Sequence, residues 1–97
     1  PFVEAYKAFI TEAVRAHAPE ATIFLAASPM LGGADHLKHK DYLDAVAEYF
    51  NDMKIRVVDI PEQQATDGFG CDYHPNETTA RKSANALVPA IRSAMGW

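Results

Sequence analysis

The stretch from Asp67 to Asn76 reads Asp-Gly-Phe-Gly-Cys-Asp-Tyr-His-Pro-Asn and gathers most of the reactive side-chain types of the chain into ten residues. His74 is its chemical centre. Imidazole, with an ordinary pKa of about 6.5, accepts a proton at neutral pH and returns it later, which is the work of a general base and then a general acid. Pro75 holds His74 in extended backbone and starts the following helix cleanly, so the chain itself sets where the ring projects. For catalysis that ring has to lie beside a cleft. A loop histidine ahead of a helix is also an ordinary solvated residue, and the spacing of these ten residues leaves both readings open.

A metal site is the rival chemistry. Cys71, Asp72 and His74 are ligand types, and His36 and His39 could join them from another loop to hold zinc. No Cys-x-x-Cys or His-x-x-x-His clip occurs, so no metal is assigned. His36 and His39 read instead as surface residues near the start of a helix, and His17 as a packed or capping histidine. Asp59 reads as a residue bonding or capping the loop after its strand. Ser28 lacks a Gly-x-Ser-x-Gly elbow, so it is a strand terminator or a cleft-lining residue and not a nucleophile.

Positioning such groups requires a scaffold, and the apolar spacing outlines one. Tyr6, Phe9, Ile10, Ala13, Val14 and His17 recur at three- and four-residue steps, predicting a helix over about 2–17 that Ala18-Pro19 ends. Thr22 to Ala27 is a nearly continuous apolar run, predicting a strand buried on both faces. Tyr42, Ala45, Val46, Tyr49, Phe50 and Met53 mark a second helix over about 39–52. Ile55 to Ile60 reads as a second strand, and 62–75 as the longest loop. The last helix, from about Asn76, places Ala80, Ala84, Leu87, Val88, Ile91 and Met95 on one face, with a kink or break at Pro89. Alternating helices and strands point to a parallel α/β sheet, whose reactive groups lie beyond the carboxyl ends of the strands. Ser28 to Asp35 and Asp59 to His74 occupy those places. Two strands make too small a sheet of this kind, so the chain reads as the carboxyl part of a larger domain.

Composition narrows the partners. The 97 residues carry Lys+Arg 9 against Asp+Glu 13, a formal charge of −4, and the cations are scattered among acids. That argues against nucleic acid. At 48% hydrophobic and 23% charged the chain has a globular composition. Its longest apolar run, Ile23 to Ala27, falls far short of the roughly 18 residues a membrane span needs. The one cysteine, Cys71, makes no disulfide within the chain, so the redox compartment is left open. Pro1, without an initiator Met or a signal-type segment, reads as an interior cut.

Gly70-Cys71-Asp72-Tyr73-His74-Pro75-Asn76 ahead of an amphipathic final helix resembles the last block of the SGNH (GDSL-type) hydrolases, in the form of carbohydrate esterase family 2, the branch with acetyl xylan esterases. The resemblance implies a three-layer α/β/α flavodoxin-like SGNH hydrolase fold with parallel strands. This chain would supply its carboxyl-terminal part, and the nucleophile-bearing amino-terminal part would lie outside it. It implies a serine esterase that removes O-acetyl groups from a sugar or polysaccharide through an acyl-enzyme, without a cofactor. His74 matches the catalytic histidine. The usual pattern has aspartate three residues before that histidine; here Cys71 stands there and Asp72 is two before. Asp72 and His74 project to one side if the segment is extended. The resemblance therefore implies a Ser–His dyad oriented by the Tyr73 carbonyl, with Asp72 as the conventional alternative. The Tyr73 side chain and Ser28 would line the sugar site. Other readings are an SGNH lipase, lysophospholipase or thioesterase, and a non-catalytic carbohydrate-binding module. The isolated 97 residues, lacking a serine nucleophile, are expected to be inactive. The usual polysaccharide substrates of the family point to a secreted or periplasmic protein, though no residue here carries that signal.

Overall fold

In the computed structural model, which describes residues 1–97, helix α1 runs over Phe2–Phe9 and passes directly into a π-helical stretch, Ile10–Arg15. β1 follows at Ile23–Ala26, α2 at Gly33–Phe50, β2 at Ile55–Val58 and α3 at Glu77–Met95. Two short 3-10 turns, Ala65–Asp67 and Cys71–Tyr73, shape the long loop before α3. The element order is the predicted one. β1 and β2 pair in parallel, in register from Ile23 with Ile55 to Ala26 with Val58. The chain is an α/β fold.

Ile10, Leu25, Ala27, Leu43, Val46 and Ile55 form the core, with Val3, Tyr6, Ile23, Ala47, Phe50 and Val57 packed against it. Side chains alternate along a strand, so Ile23, Leu25, Ile55 and Val57 share the sheet face that α1 and α2 cover. Val58 is buried on the opposite face, and α3 packs against β2. Each fully buried Leu or Val in this core stabilises the fold by about 1.5–3 kcal/mol.

The predicted helix faces are rotated in the structure. On α2 the inward stripe runs through His36, Leu43, Val46, Ala47 and Phe50, while Tyr42 and Tyr49 face outward. Two apolar stripes lie side by side on this helix, and the aromatic one, more conspicuous in the sequence, is the outer one. On the first helix Val3, Tyr6, Ile10 and Val14 turn inward and Phe9 and His17 outward. On α3 the covered stripe passes through Thr79, Ser83, Leu87 and Ile91, leaving Ala80, Ala84, Val88 and Met95 exposed. α3 continues through Pro89 without the expected break. Asn85 and Pro89 both face solvent, so water can take the carbonyl that loses its helical partner.

α2 begins at Gly33, well ahead of residue 39. The backbone, not the apolar period, starts it: Gly33 has φ 56, and its N–H donates to the Glu62 carboxylate at 2.9 Å. This cap comes from the loop after β2 and leaves no local trace in the sequence.

Only 10 of 97 residues are buried, and β1 is not covered on both faces: Leu25 is buried, but Ala26 is exposed. The accessible surface is 6438 Å², against about 5,500 Å² for a complete monomer of this mass. The radius of gyration is 14.6 Å, where about 12.5 Å is usual for this length. Each strand of the two-stranded sheet leaves one edge unpaired.

Candidate active site

The two strand-end loops meet. The Gln63 N–H donates to the Pro29 carbonyl at 2.8 Å, and Gly33 reaches Glu62 as described. A third tie joins His36 Nε2 to Asp59 Oδ1 at 2.7 Å. The other ring nitrogen of His36, Nδ1, lies 3.2 Å from the Leu31 carbonyl. Both nitrogens thus face acceptors, which favours the imidazolium. The hydrogen bond that His36 donates to Asp59 raises the His36 pKa above its ordinary value, against an opposing desolvation and with the help of the Asp59 charge. The surface reading of His36 is therefore corrected: it is 9% exposed and holds α2 to the end of β2. Its partner lies 23 residues away, and no local pattern joins the two. Asp59 does bond a neighbour after its strand, but the neighbour is a helix and not the following loop.

His74 sits on a tight turn. Asp72 and Tyr73 both have positive φ, 53 and 59, and the His74 N–H donates to the Cys71 carbonyl at 3.1 Å. Positive φ at both central residues with this closure is the signature of a type I′ turn. Around it Gly70 N–H donates to the His74 carbonyl at 2.8 Å, and Phe69 bridges Pro75 in antiparallel fashion. A Cβ at Gly70 would meet the His74 and Pro75 carbonyls in ordinary contact, at 3.4 and 3.5 Å. Beyond the turn, the Asn76 side chain accepts from Thr79 N–H at 3.1 Å to cap α3 and donates to the Asp67 carbonyl at 2.7 Å.

This geometry corrects two expectations. The segment is not extended, so Asp72 and His74 do not share a side through alternation, and no hydrogen bond joins the Asp72 carboxylate to the ring. The carbonyl that meets His74 Nδ1, at 3.0 Å, belongs to Cys71 and not to Tyr73. The Tyr73 carbonyl instead accepts from Gln63 Nε2 at 2.8 Å. A carbonyl can only accept, so Nδ1 carries the proton and Nε2 presents a free lone pair. A left-handed pair without glycine or asparagine is what the sequence could not announce.

His74 is exposed, and the expected cleft around it is not formed by this chain alone. Tyr73, 73% exposed, stacks edge-on against Phe69 with ring centroids 5.7 Å apart. Ser28 ends β1 in a local turn, its hydroxyl accepting from Met30 N–H at 3.2 Å. His39 is half-buried beside Phe2, at 5.9 Å between ring centroids. His17 bonds the Ala13 carbonyl at 2.8 Å, a capping role. Cys71 is exposed and free, and no group of three or more His, Cys, Asp or Glu side chains is arranged to hold a metal ion. A cavity of about 320 Å³ lies elsewhere, between Phe2, Leu31, Asp35, Lys38, His39 and Tyr42. Gln63, unmarked by any sequence motif, is the site residue that sequence reasoning missed.

No family model matches the chain. Among curated proteins it is 36% identical over 99 residues to the cellulase/esterase CelE of Acetivibrio thermocellus, covering 99% of this chain and 12% of that protein. Among solved structures, a family two carbohydrate esterase from Clostridium thermocellum in complex with cellohexaose superposes with a TM-score of 0.89 at 35% identity. A carbohydrate esterase family 2 enzyme from Corynascus thermopiles, solved with a carbohydrate binding domain, gives 0.89 at 30%. Each covers 99% of this chain, which spans 30% of theirs. The likeness to carbohydrate esterase family 2 seen in the block around His74 thus extends over the whole of these residues.

Proposed function

We propose that this chain is the carboxyl-terminal part of a serine carbohydrate esterase domain, and that His74 is its proton shuttle. The observation that carries the reading is the ring itself, with Nδ1 bound to the Cys71 carbonyl and Nε2 bare on an exposed turn. That tautomer suits a general base, because Nε2 is then the nitrogen able to take a proton from a serine hydroxyl. The remainder of the domain would supply the serine and pair with the unpaired strand edges. The excess accessible surface and the partial span of the relatives both favour such a completion.

In the proposed reaction the serine oxygen attacks the ester carbonyl while Nε2 takes its proton. The tetrahedral intermediate collapses, and the proton passes to the leaving sugar oxygen. Water then attacks the acyl-enzyme with Nε2 again as base, and the proton passes to the serine oxygen as acetate leaves. The Cys71 carbonyl steadies the imidazolium that forms in each half. Tyr73, exposed beside His74, offers an aromatic face to a sugar ring, and Ser28 lies on the loop that Gln63 ties to the same turn. The cellohexaose bound to the Clostridium esterase supports a glycan as the alcohol part of the substrate.

The complete protein should release acetate from acetylated sugars and from p-nitrophenyl acetate, and turnover should fall along a series of longer acyl chains. His74→Ala should lower kcat by about 10³-fold or more, the usual scale when a nucleophile loses its base. Undiminished turnover in that variant would remove His74 from the mechanism.

A further inference from the structure

We propose that Gln63 is the positioning residue for the His74 base, acting through the peptide unit between Tyr73 and His74; this rests on the reading of His74 as proton shuttle. That peptide is gripped at both ends. Its carbonyl, that of Tyr73, accepts from Gln63 Nε2 at 2.8 Å, and its N–H, that of His74, donates to the Cys71 carbonyl at 3.1 Å. The same Cys71 oxygen receives His74 Nδ1 at 3.0 Å. Rotating that peptide plane would break the grip at both ends and swing the ring away from the Cys71 carbonyl that sets its tautomer.

The turn needs such a hold. Two successive left-handed residues, one of them the bulky Tyr73, are sparsely populated and persist only where the surroundings over-determine them. Gln63 is itself seated by its backbone N–H on the Pro29 carbonyl at 2.8 Å, so it registers the His74 turn against the end of β1. Its Oε1 is buried with no donor among the protein's own groups. A side chain that leaves one polar atom buried and unpaired to place the other is poorly chosen for stability alone and well chosen for holding a carbonyl.

Gln63→Met keeps the length and removes the donor; Gln63→Glu keeps length and polarity and cannot donate when ionised. In the complete protein at about pH 8, where imidazole is ordinarily neutral, long-range ¹⁵N–¹H spectra should place the proton of wild-type His74 on Nδ1. Either variant should shift it towards Nε2 and lower kcat by about 10-fold or more with KM little changed, the pattern of a misplaced base. A merely structural Gln63 would alter melting and leave the tautomer alone. Wild-type tautomer and kcat in a folded Gln63→Glu or Gln63→Met protein would overturn the proposal. If His74→Ala instead retains turnover, the reading of His74 as proton shuttle falls, while the tautomer comparison still decides whether Gln63 holds the ring.

Discussion

Replacing Asp72 by Asn separates two ways of orienting His74 by a wide margin. If the Asp72 carboxylate held the ring as the third member of a triad, the change would cost about 10⁴-fold in kcat, because the amide would stabilise the wrong tautomer. In the structure the ring's Nδ1 is bound to the Cys71 carbonyl at 3.0 Å, and the Asp72 side chain makes no hydrogen bond to it. What Asp72 contributes is its backbone, at φ 53 and ψ 42. Asparagine enters that left-handed region as readily as aspartate, so the turn should survive unchanged. The expected outcome is therefore a kcat within about threefold of wild type, since an exposed charge without a hydrogen bond to the ring is lost. The assay is acetate release by the complete protein under saturating substrate, with the His74→Ala protein as the floor. A loss of a hundredfold or more, in a protein that melts like wild type, would refute the Cys71 assignment and restore the carboxylate.

The His36–Asp59 tie gives a pH-dependent stability. His36 has a raised folded pKa, so its contribution is fully present below the unfolded value of about 6.5 and is lost as pH rises through the folded one. Asp59→Asn should accordingly lower stability by about 1 kcal/mol in mildly acid solution, the low end for a charged hydrogen bond because Asp59 is half-exposed, and by less in alkali. Urea midpoints of both proteins across that range check it, and equal gaps at every pH would count against the pair. Asn76→Ala removes both the α3 cap and the bond to the Asp67 carbonyl, and should cost about 1–2 kcal/mol in the same urea titration. A change below a few tenths would mean that α3 does not depend on its cap.

The amino-acid sequence alone determined the alternation of helices and strands, the parallel sheet, and the block around His74, because each is a local matter. Apolar period, a proline after a histidine and a run of β-branched residues act over a turn or two of chain. The start of the last helix near Asn76 is equally local. What escaped was everything settled between distant segments. Leu43 and not Tyr42 faces the core because two apolar stripes on α2 compete, and only the sheet beneath decides between them. Glu62 caps α2, Asp59 bonds His36, and Gln63 holds the Tyr73 carbonyl, each across a gap that periodicity cannot bridge. The left-handed Asp72–Tyr73 pair is the clearest case. Its local preferences favour ordinary backbone, so the type I′ turn exists through contacts made from outside it, and the choice of Cys71 as the partner of His74 passes from the chain's spelling to its tertiary structure.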